Sequence, residues 1–388
     1  MRVKPRGFVS TLLLATCLSV STQAQRPTDN STDEAGLWYQ VDKIEKDIQT
    51  AGVRLTDPDL NNYVNKLTCD IVGPDCNQLR VYVIEAPVFN ASMYPNGMML
   101  IFSGLLLRAE NEAQVACVIG HEFGHYKNKD SLERWRKIKD WSNVAMLFSL
   151  TGAATGTGSA EGSTGFIYLA QAAIQGFSRE QEREADEVGF KLTADASYKS
   201  DECSIIWSNL IDEQEASSFK RVRKRVNQGS VFSSHPLTKE RKKTLAAFAK
   251  QTPGGAKTGQ ANHKTSTDKF LEDWLRTELL AKDYDRHLHL FEALKAQGRN
   301  EGILNYYIGE AYRLRGEDGD RDLAFEAWEE AAKFQGAPPE LWRTLGEYYR
   351  RKKDKPKALQ AYQTYLAKAP HAPERQLINA YIQRLKSP

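Results

Sequence analysis

Two histidines four residues apart with a glutamate beside the first, His121-Glu122-Phe123-Gly124-His125, form a set of side chains suited to hydrolytic chemistry. On a helix the two imidazoles lie one turn apart on one face and can hold a single Zn²⁺, while Glu122 projects beside the metal, where it can take a proton from water. The flanking residues predict that helix. Asn111-Glu112-Ala113-Gln114 reads as an N-cap with a capping box, and Val115, Ala116, Val118, Ile119 and Phe123 supply an apolar face. A catalytic zinc takes three protein ligands and leaves one position to water, so a third ligand must come from elsewhere. A glycine and a histidine three and six residues past the second histidine would complete one pattern, but Asn128 and Ser131 stand there and exclude it. Another pattern sets a glutamate on a later helix with an aspartate one turn beyond, and Ser178-Arg179-Glu180-Gln181-Glu182-Arg183-Glu184-Ala185-Asp186 offers Glu182 and Asp186. Glu182 would bind the metal and Asp186 would accept the N–H of a ligand histidine. From the residues alone, Glu180 or Glu184 remains an alternative ligand, and the whole run also reads as a solvated charged face.

Three motifs in order are Asn90-Ala91-Ser92-Met93-Tyr94-Pro95-Asn96-Gly97, the His121–His125 pentad, and Ser178-Arg179 with Glu182, Ala185 and Asp186. Together they resemble the zinc metallopeptidase family of bacterial HtpX and BepA, which also contains the CAAX prenyl proteases, over roughly residues 36 to 250. The resemblance implies one Zn²⁺ per chain, Glu182 as its third ligand, and peptide bonds as the substrate. It also implies a role for His235 in Ser234-His235-Pro236, near the metal, either capping the open coordination position at rest or stabilising the oxyanion. Read without the family, His235 is a histidine in an extended pre-proline turn. The HtpX-like and prenyl-protease branches are integral membrane proteins. Past its first residues this chain has no apolar run of the roughly eighteen to twenty residues that span a bilayer, which shifts the comparison to the periplasmic BepA-like branch.

Substrate would need a main-chain partner. Leu79 to Glu85 alternates and is β-branched, and Pro95-Asn96-Gly97 turns the chain into Met98-Met99-Leu100-Ile101-Phe102, so a hairpin is expected ahead of the metal helix. Its outer strand, around Asn96, Gly97, Met98 and Met99, is the expected site for an extended peptide.

The elements that position these groups follow from the rest of the chain. At 388 residues and 41% hydrophobic content it has room for two domains, and a net charge of +3 gives no argument for nucleic acid. Arg2, Lys4 and Arg6, the apolar stretch Phe8 to Val20, and Thr22-Gln23-Ala24 have the layout of a cleavable secretory signal over residues 1–24; Leu14-Ala15-Thr16-Cys17 is the weaker lipoprotein alternative. Export would place the protein in the periplasm. There Cys69 and Cys76, flanking a short loop, are expected to pair, while Cys117 reads as a small buried apolar residue. Helices are expected over 36–52, over 57–72, opening with Asp57 as cap and Pro58 in the first turn, and over Leu132 to Leu150, followed by a Gly-, Ser- and Thr-rich interruption from Gly152 to Gly165. Lys220 to Arg225 and Lys239 to Lys243 read as a basic region able to meet anionic lipid or an acidic partner, or simply solvated.

Residues 25–250 are thus expected to form an α+β, mainly helical zinc metallopeptidase domain with a small antiparallel sheet, and 251–267, rich in Gly, Lys and Thr, an interdomain linker. In 268–388, Trp342, Leu345, Gly346, Tyr349, Ala358, Tyr362 and Pro370 fall at the offsets of a tetratricopeptide repeat, and Ile308, Gly309, Tyr312, Ala324, Trp328 and Ala331 echo it. An all-α repeat solenoid would dock substrate or an outer-membrane assembly partner. Resemblance to BepA implies quality control of unfolded or misassembled envelope proteins. The competing expectation is a chaperone or scaffold with a latent metal site.

Overall fold

The computed structural model describes residues 32–137, 177–225, 239–251 and 254–387. The expected signal segment with Cys17, the 152–165 stretch and His235 lie outside the described residues.

Four short strands form one mixed sheet: β1 (Arg54–Leu55), β2 (Arg80–Ile84), β3 (Ala91–Met93) and β4 (Met98–Phe102), in the spatial order β1-β2-β4-β3. β2 and β4 pair in parallel, Arg80 opposite Met98 through Ile84 opposite Phe102. β3 is antiparallel to β4, so the turn at Pro95-Asn96-Gly97 joins β3 to β4. The hairpin therefore lies between β3 and β4 rather than between β2 and β4, and the small sheet expected as antiparallel is mixed, with one parallel pair. The chain between Ile84 and Met98 crosses over and lays β3 down on the far side, and neither strand's local pattern encodes that direction. With neighbours on both edges, β4 is buried at every residue, as its unbroken apolar sequence requires.

The two faces of the sheet are covered separately. Tyr82, Ile84, Met98, Leu100 and Phe102 pack with Leu37, Val41, Ile44 and Ile48 of α1 (Thr32–Thr50). Val81, Val83, Met99 and Ile101 join the larger core with Leu60, Val64 and Leu67 of α2 (Pro58–Val72). Asp57 caps α2 by accepting the Leu60 N–H, with Pro58 in the first turn, as the sequence predicts. Then come α3 (Ser103–Arg108), α4 (Glu112–Lys127), α5 (Asp130–Lys137), α6 (Arg179–Asp195), α7 (Glu202–Glu215), α8 (Lys220–Arg225) and α9 (Lys239–Gln251).

Two disulfides brace this half. Cys69 pairs with Cys76 across the turn after α2, and Cys117 pairs with Cys203, joining α4 to α7. Cys117 is thus buried, as expected, but as half of a cross-link whose partner lies too far along the chain for spacing to reveal.

The C-terminal part is wholly helical: α10 (Gln260–Thr267), α11 (Leu271–Leu279), α12 (Tyr284–Ala296), α13 (Glu301–Arg315), α14 (Asp320–Ala331), α15 (Pro339–Arg351), α16 (Lys355–Lys368) and α17 (Arg375–Lys386). α13 packs on α14 and α15 on α16; a Cβ on Gly346 would lie 2.6 Å from the Tyr362 ring, so this glycine permits the close approach. The segment read as a linker is not a free tether. The Lys257 backbone bonds to Ser197 and Lys199, and α10 buries His263, whose Nε2–H donates to the Leu106 carbonyl at 3.0 Å while Nδ1 accepts from Tyr63 Oη at 2.8 Å. Its polar composition feeds buried hydrogen bonds. Leu105 and Leu106 share one core with Leu271, Trp274 and Leu275, and buried Arg108 pairs with Glu213 at 2.8 Å and Glu278 at 2.6 Å, so the two halves are continuous.

Candidate metal centre

The centre forms where α4 crosses α6. Asn111 caps α4 by accepting the Gln114 N–H; the Gln114 side chain accepts from Glu110 N–H rather than closing the expected capping box, which occurs instead at Ser178 and Gln181 of α6. The helices meet through small residues. A Cβ on Gly189 would lie 2.5 Å from the His121 backbone nitrogen, and one on Gly124 3.0 Å from Ala185 Cα, so bulk at either position would drive the helices apart. This contact brings His121, His125 and Glu182, all buried, to one point, with one donor atom from each within 4.8 Å of the others. The two Nε2 atoms are 3.2 Å apart; Glu182 Oε2 is 3.5 Å from His121 Nε2, and Oε1 is 3.8 Å from His125 Nε2. Tetrahedral zinc with bonds of about 2.0–2.2 Å needs neighbouring donors roughly 3.3 Å apart, so the set fits that ion in donor type and spacing. Glu180 and Glu184 are exposed on the other side of α6.

Each imidazole is held from behind by a carboxylate. His121 Nδ1 lies 2.9 Å from Asp186 Oδ1, the arrangement expected from the sequence, and His125 Nδ1 lies 2.6 Å from Asp130 Oδ2. Both rings therefore turn Nε2 toward the centre. Asp130 escaped sequence reasoning. It reaches back because Lys129 takes a left-handed φ of 59° between α4 and α5, and nothing in the local sequence requires that. Its other oxygen accepts from Gln181 Nε2 at 3.1 Å, which ties it to the first turn of α6. Arg241, hidden in a run read as a basic surface, is buried against Asp186 and Glu182.

Glu122 is buried beside these three side chains, and its carboxylate accepts the N–H of Met93 at 3.2 Å. A strand at the edge of the sheet thus lies at the centre, but it is β3, buried along its length, and not the strand expected. Met98 and Met99 sit in interior β4, on opposite faces. Asn96 is buried and holds the turn, donating to Glu45 at 2.7 Å and Asp42 at 3.0 Å and accepting from Met98 N–H, while Gly97 takes φ 84°. These four residues shape the hairpin rather than an open edge. Tyr94, at the end of β3, is fully buried with no hydrogen-bond partner for its hydroxyl among the described residues; burial, helped by the charge of Glu122, holds its phenol above the usual tyrosine range. A cleft of about 310 Å³ opens here, lined in part by Trp38, Met93, Tyr94, His125, Tyr126 and Leu132.

Two helix-borne histidines, a glutamate between them and a second glutamate from a crossing helix define a metallopeptidase centre of the H-E-x-x-H class. The chain belongs to peptidase family M48, whose model matches residues 54–249. It is 25% identical to the beta-barrel assembly-enhancing protease of Yersinia pestis over 62% of this chain and 53% of that protein. It is likewise 25% identical to the mitochondrial metalloendopeptidase OMA1 of Schizosaccharomyces pombe over 48% of this chain and 51% of that protein. Its identity to the beta-barrel assembly-enhancing protease of Escherichia coli is 22%, over 54% of this chain and 43% of that protein. The chain thus spans about half the length of the curated relatives it matches.

Proposed function

We propose that the protein is a zinc-dependent endopeptidase acting on unfolded or misassembled envelope proteins outside the cytoplasm. The observation that carries this reading is the convergence of His121, His125 and Glu182 with Glu122 beside them, in a chain of family M48. His121 and His125 would hold the ion through Nε2 and Glu182 through its carboxylate. When bound, zinc supplies a Lewis acid that brings the pKa of water down to about neutral. Glu122, steadied by the Met93 N–H, takes the proton and returns it to the leaving amine. The β3 edge supplies main-chain partners for an extended peptide, a mode of binding largely indifferent to side chains and suited to unfolded substrates. His235 is assigned to the same centre by family resemblance.

The name of the Yersinia relative supports a task in the assembly of β-barrel proteins. The expected signal segment and the two disulfides support an oxidising, periplasmic location. No helix among the described residues is long and apolar enough to cross a membrane. The helix pairs of α11 to α17, read as tetratricopeptide repeats, would dock substrate or an assembly partner. The test is casein cleavage by the zinc-loaded protein beside its Glu122→Gln variant. Cleavage by the parent with loss of at least about a hundredfold in the variant, at equal zinc content, is expected. Equal cleavage by both would remove Glu122 from the chemistry, and no cleavage by either, nor by His235→Ala, would favour a scaffold.

A further inference from the structure

We propose that Arg241 is a positioning residue of the metal centre, acting through Asp186 to hold His121 in the orientation that presents Nε2 to the ion. The inference rests on the zinc reading above. Arg241 lies near the start of α9 and is buried. Its Nε donates to both oxygens of Asp186, at 3.0 and 2.8 Å, and its Nη2 donates to Oδ1 at 2.6 Å. That same Oδ1 lies 2.9 Å from His121 Nδ1. Two or more N–H bonds from one rigid, planar guanidinium fix the plane of a carboxylate. Held by a single bond, Asp186 is free to rotate and to offer the imidazole another oxygen or none.

The same guanidinium reaches the ligands themselves. Nη1 lies 3.3 Å from Glu182 Oε2, and Nη2 lies 2.9 and 3.1 Å from the ring nitrogens of His121. Four carboxylates, Glu122, Asp130, Glu182 and Asp186, are buried around this point, and Arg241 is a cation placed among them. Without it Asp186 would be a buried charge with less compensation, and the cheapest relief is for its side chain to turn away from His121. Arg241 is steered in turn. Its Cζ lies 4.1 Å from the ring centroid of Trp207 on α7, a cation–π contact, and α7 is bound to α4 by Cys117–Cys203. The direction of a ligand on α4 is therefore set by side chains from α6, α7 and α9. A lysine at 241 would keep the charge but lose the fork and the stacked plane.

The experiment measures zinc affinity by competition with a chelator, together with the absorption spectrum of the cobalt(II)-substituted protein. It uses the full chain and its His121→Ala, Arg241→Lys, Asp186→Asn and Arg241→Lys/Asp186→Asn variants. Arg241→Lys is expected to bind zinc about 10- to 100-fold more weakly and to shift the cobalt spectrum, with the double variant no worse than Asp186→Asn alone. Trp207→Leu, which keeps the guanidinium but removes the ring that steers it, is expected to lose affinity by a smaller factor, and it decides the matter if Arg241→Lys does not fold. Parental affinity and spectrum in folded Arg241→Lys, or in Trp207→Leu in its place, would overturn the role of Arg241, as would additive losses in the double variant. Zinc binding abolished by His121→Ala but untouched by Arg241→Lys leaves the metal reading standing, whereas a parent that binds no zinc overturns both.

Discussion

At the scale of single residues, each imidazole of the centre is backed by a carboxylate. Asp130 is to His125 what Asp186 is to His121, so Asp130→Ala is expected to weaken zinc binding about 10- to 100-fold while leaving the helical circular dichroism unchanged, measured by chelator competition. Parental affinity would mean that His125 needs no such support. That His121, Glu122 and His125 gather on one face was legible in helical spacing, and that Glu182 and Asp186 face them together because they too lie one turn apart. Asp130 and Arg241 were not. The first depends on a left-handed turn at Lys129, and the second stands among lysines that look like solvated surface until α9 folds onto Asp186. His263 adds a test of a different kind. Burial, helped by the nearby charge of Arg299, lowers its pKa from 6.5 to about 4. The folded state thus binds fewer protons than the unfolded state between these values, so its stabilisation is complete above about pH 6.5 and is lost as pH falls toward 4. Over that window the parent is expected to lose up to roughly 3 kcal/mol more than His263→Gln, read from urea midpoints; parallel pH profiles would refute this.

At the scale of elements, the decisive event is the crossing of α4 and α6. Gly189 is a position where no side chain fits, because its Cβ would meet the His121 backbone. Gly189→Val is expected to cost about 1–3 kcal/mol or more in unfolding free energy and to lower the zinc content of purified protein, and a variant of parental stability and content would show that the helices can part at no cost. The helices themselves were readable from caps and apolar periodicity, as Asp57 and Asn111 show. The strand pairing was not. An apolar run such as Met98 to Phe102 reports burial on both faces but carries no mark of whether its neighbour runs with it or against it, so the pattern points to a β2–β4 hairpin where the molecule forms β3–β4. The edge strand at the centre is accordingly β3 and not β4, and it is β3 that faces Glu122.

At the scale of the whole molecule, the described residues do not divide where composition suggests. The polar 251–267 segment looked like a tether, yet α10 delivers His263 into the core and Arg108 ties α3 to α7 and α11. Composition could not reveal this, since a Lys- and Thr-rich helix buries only the few residues that matter. The long-range disulfide serves the same integration. Replacing Cys117 and Cys203 together by alanine is expected to cost about 2–4 kcal/mol, read from denaturant midpoints, and reductant should then produce a smaller loss in the variant than in the parent. Both H-E-x-x-H histidines and Glu182 lie between these two cysteines in the chain. A single backbone cut anywhere between residues 117 and 203 therefore separates nothing. The two fragments would travel as one on a non-reducing gel and fall apart only when the sulfurs are freed, so a nicked molecule, whether cut by itself or by another protease, could keep its ligands in one covalent body.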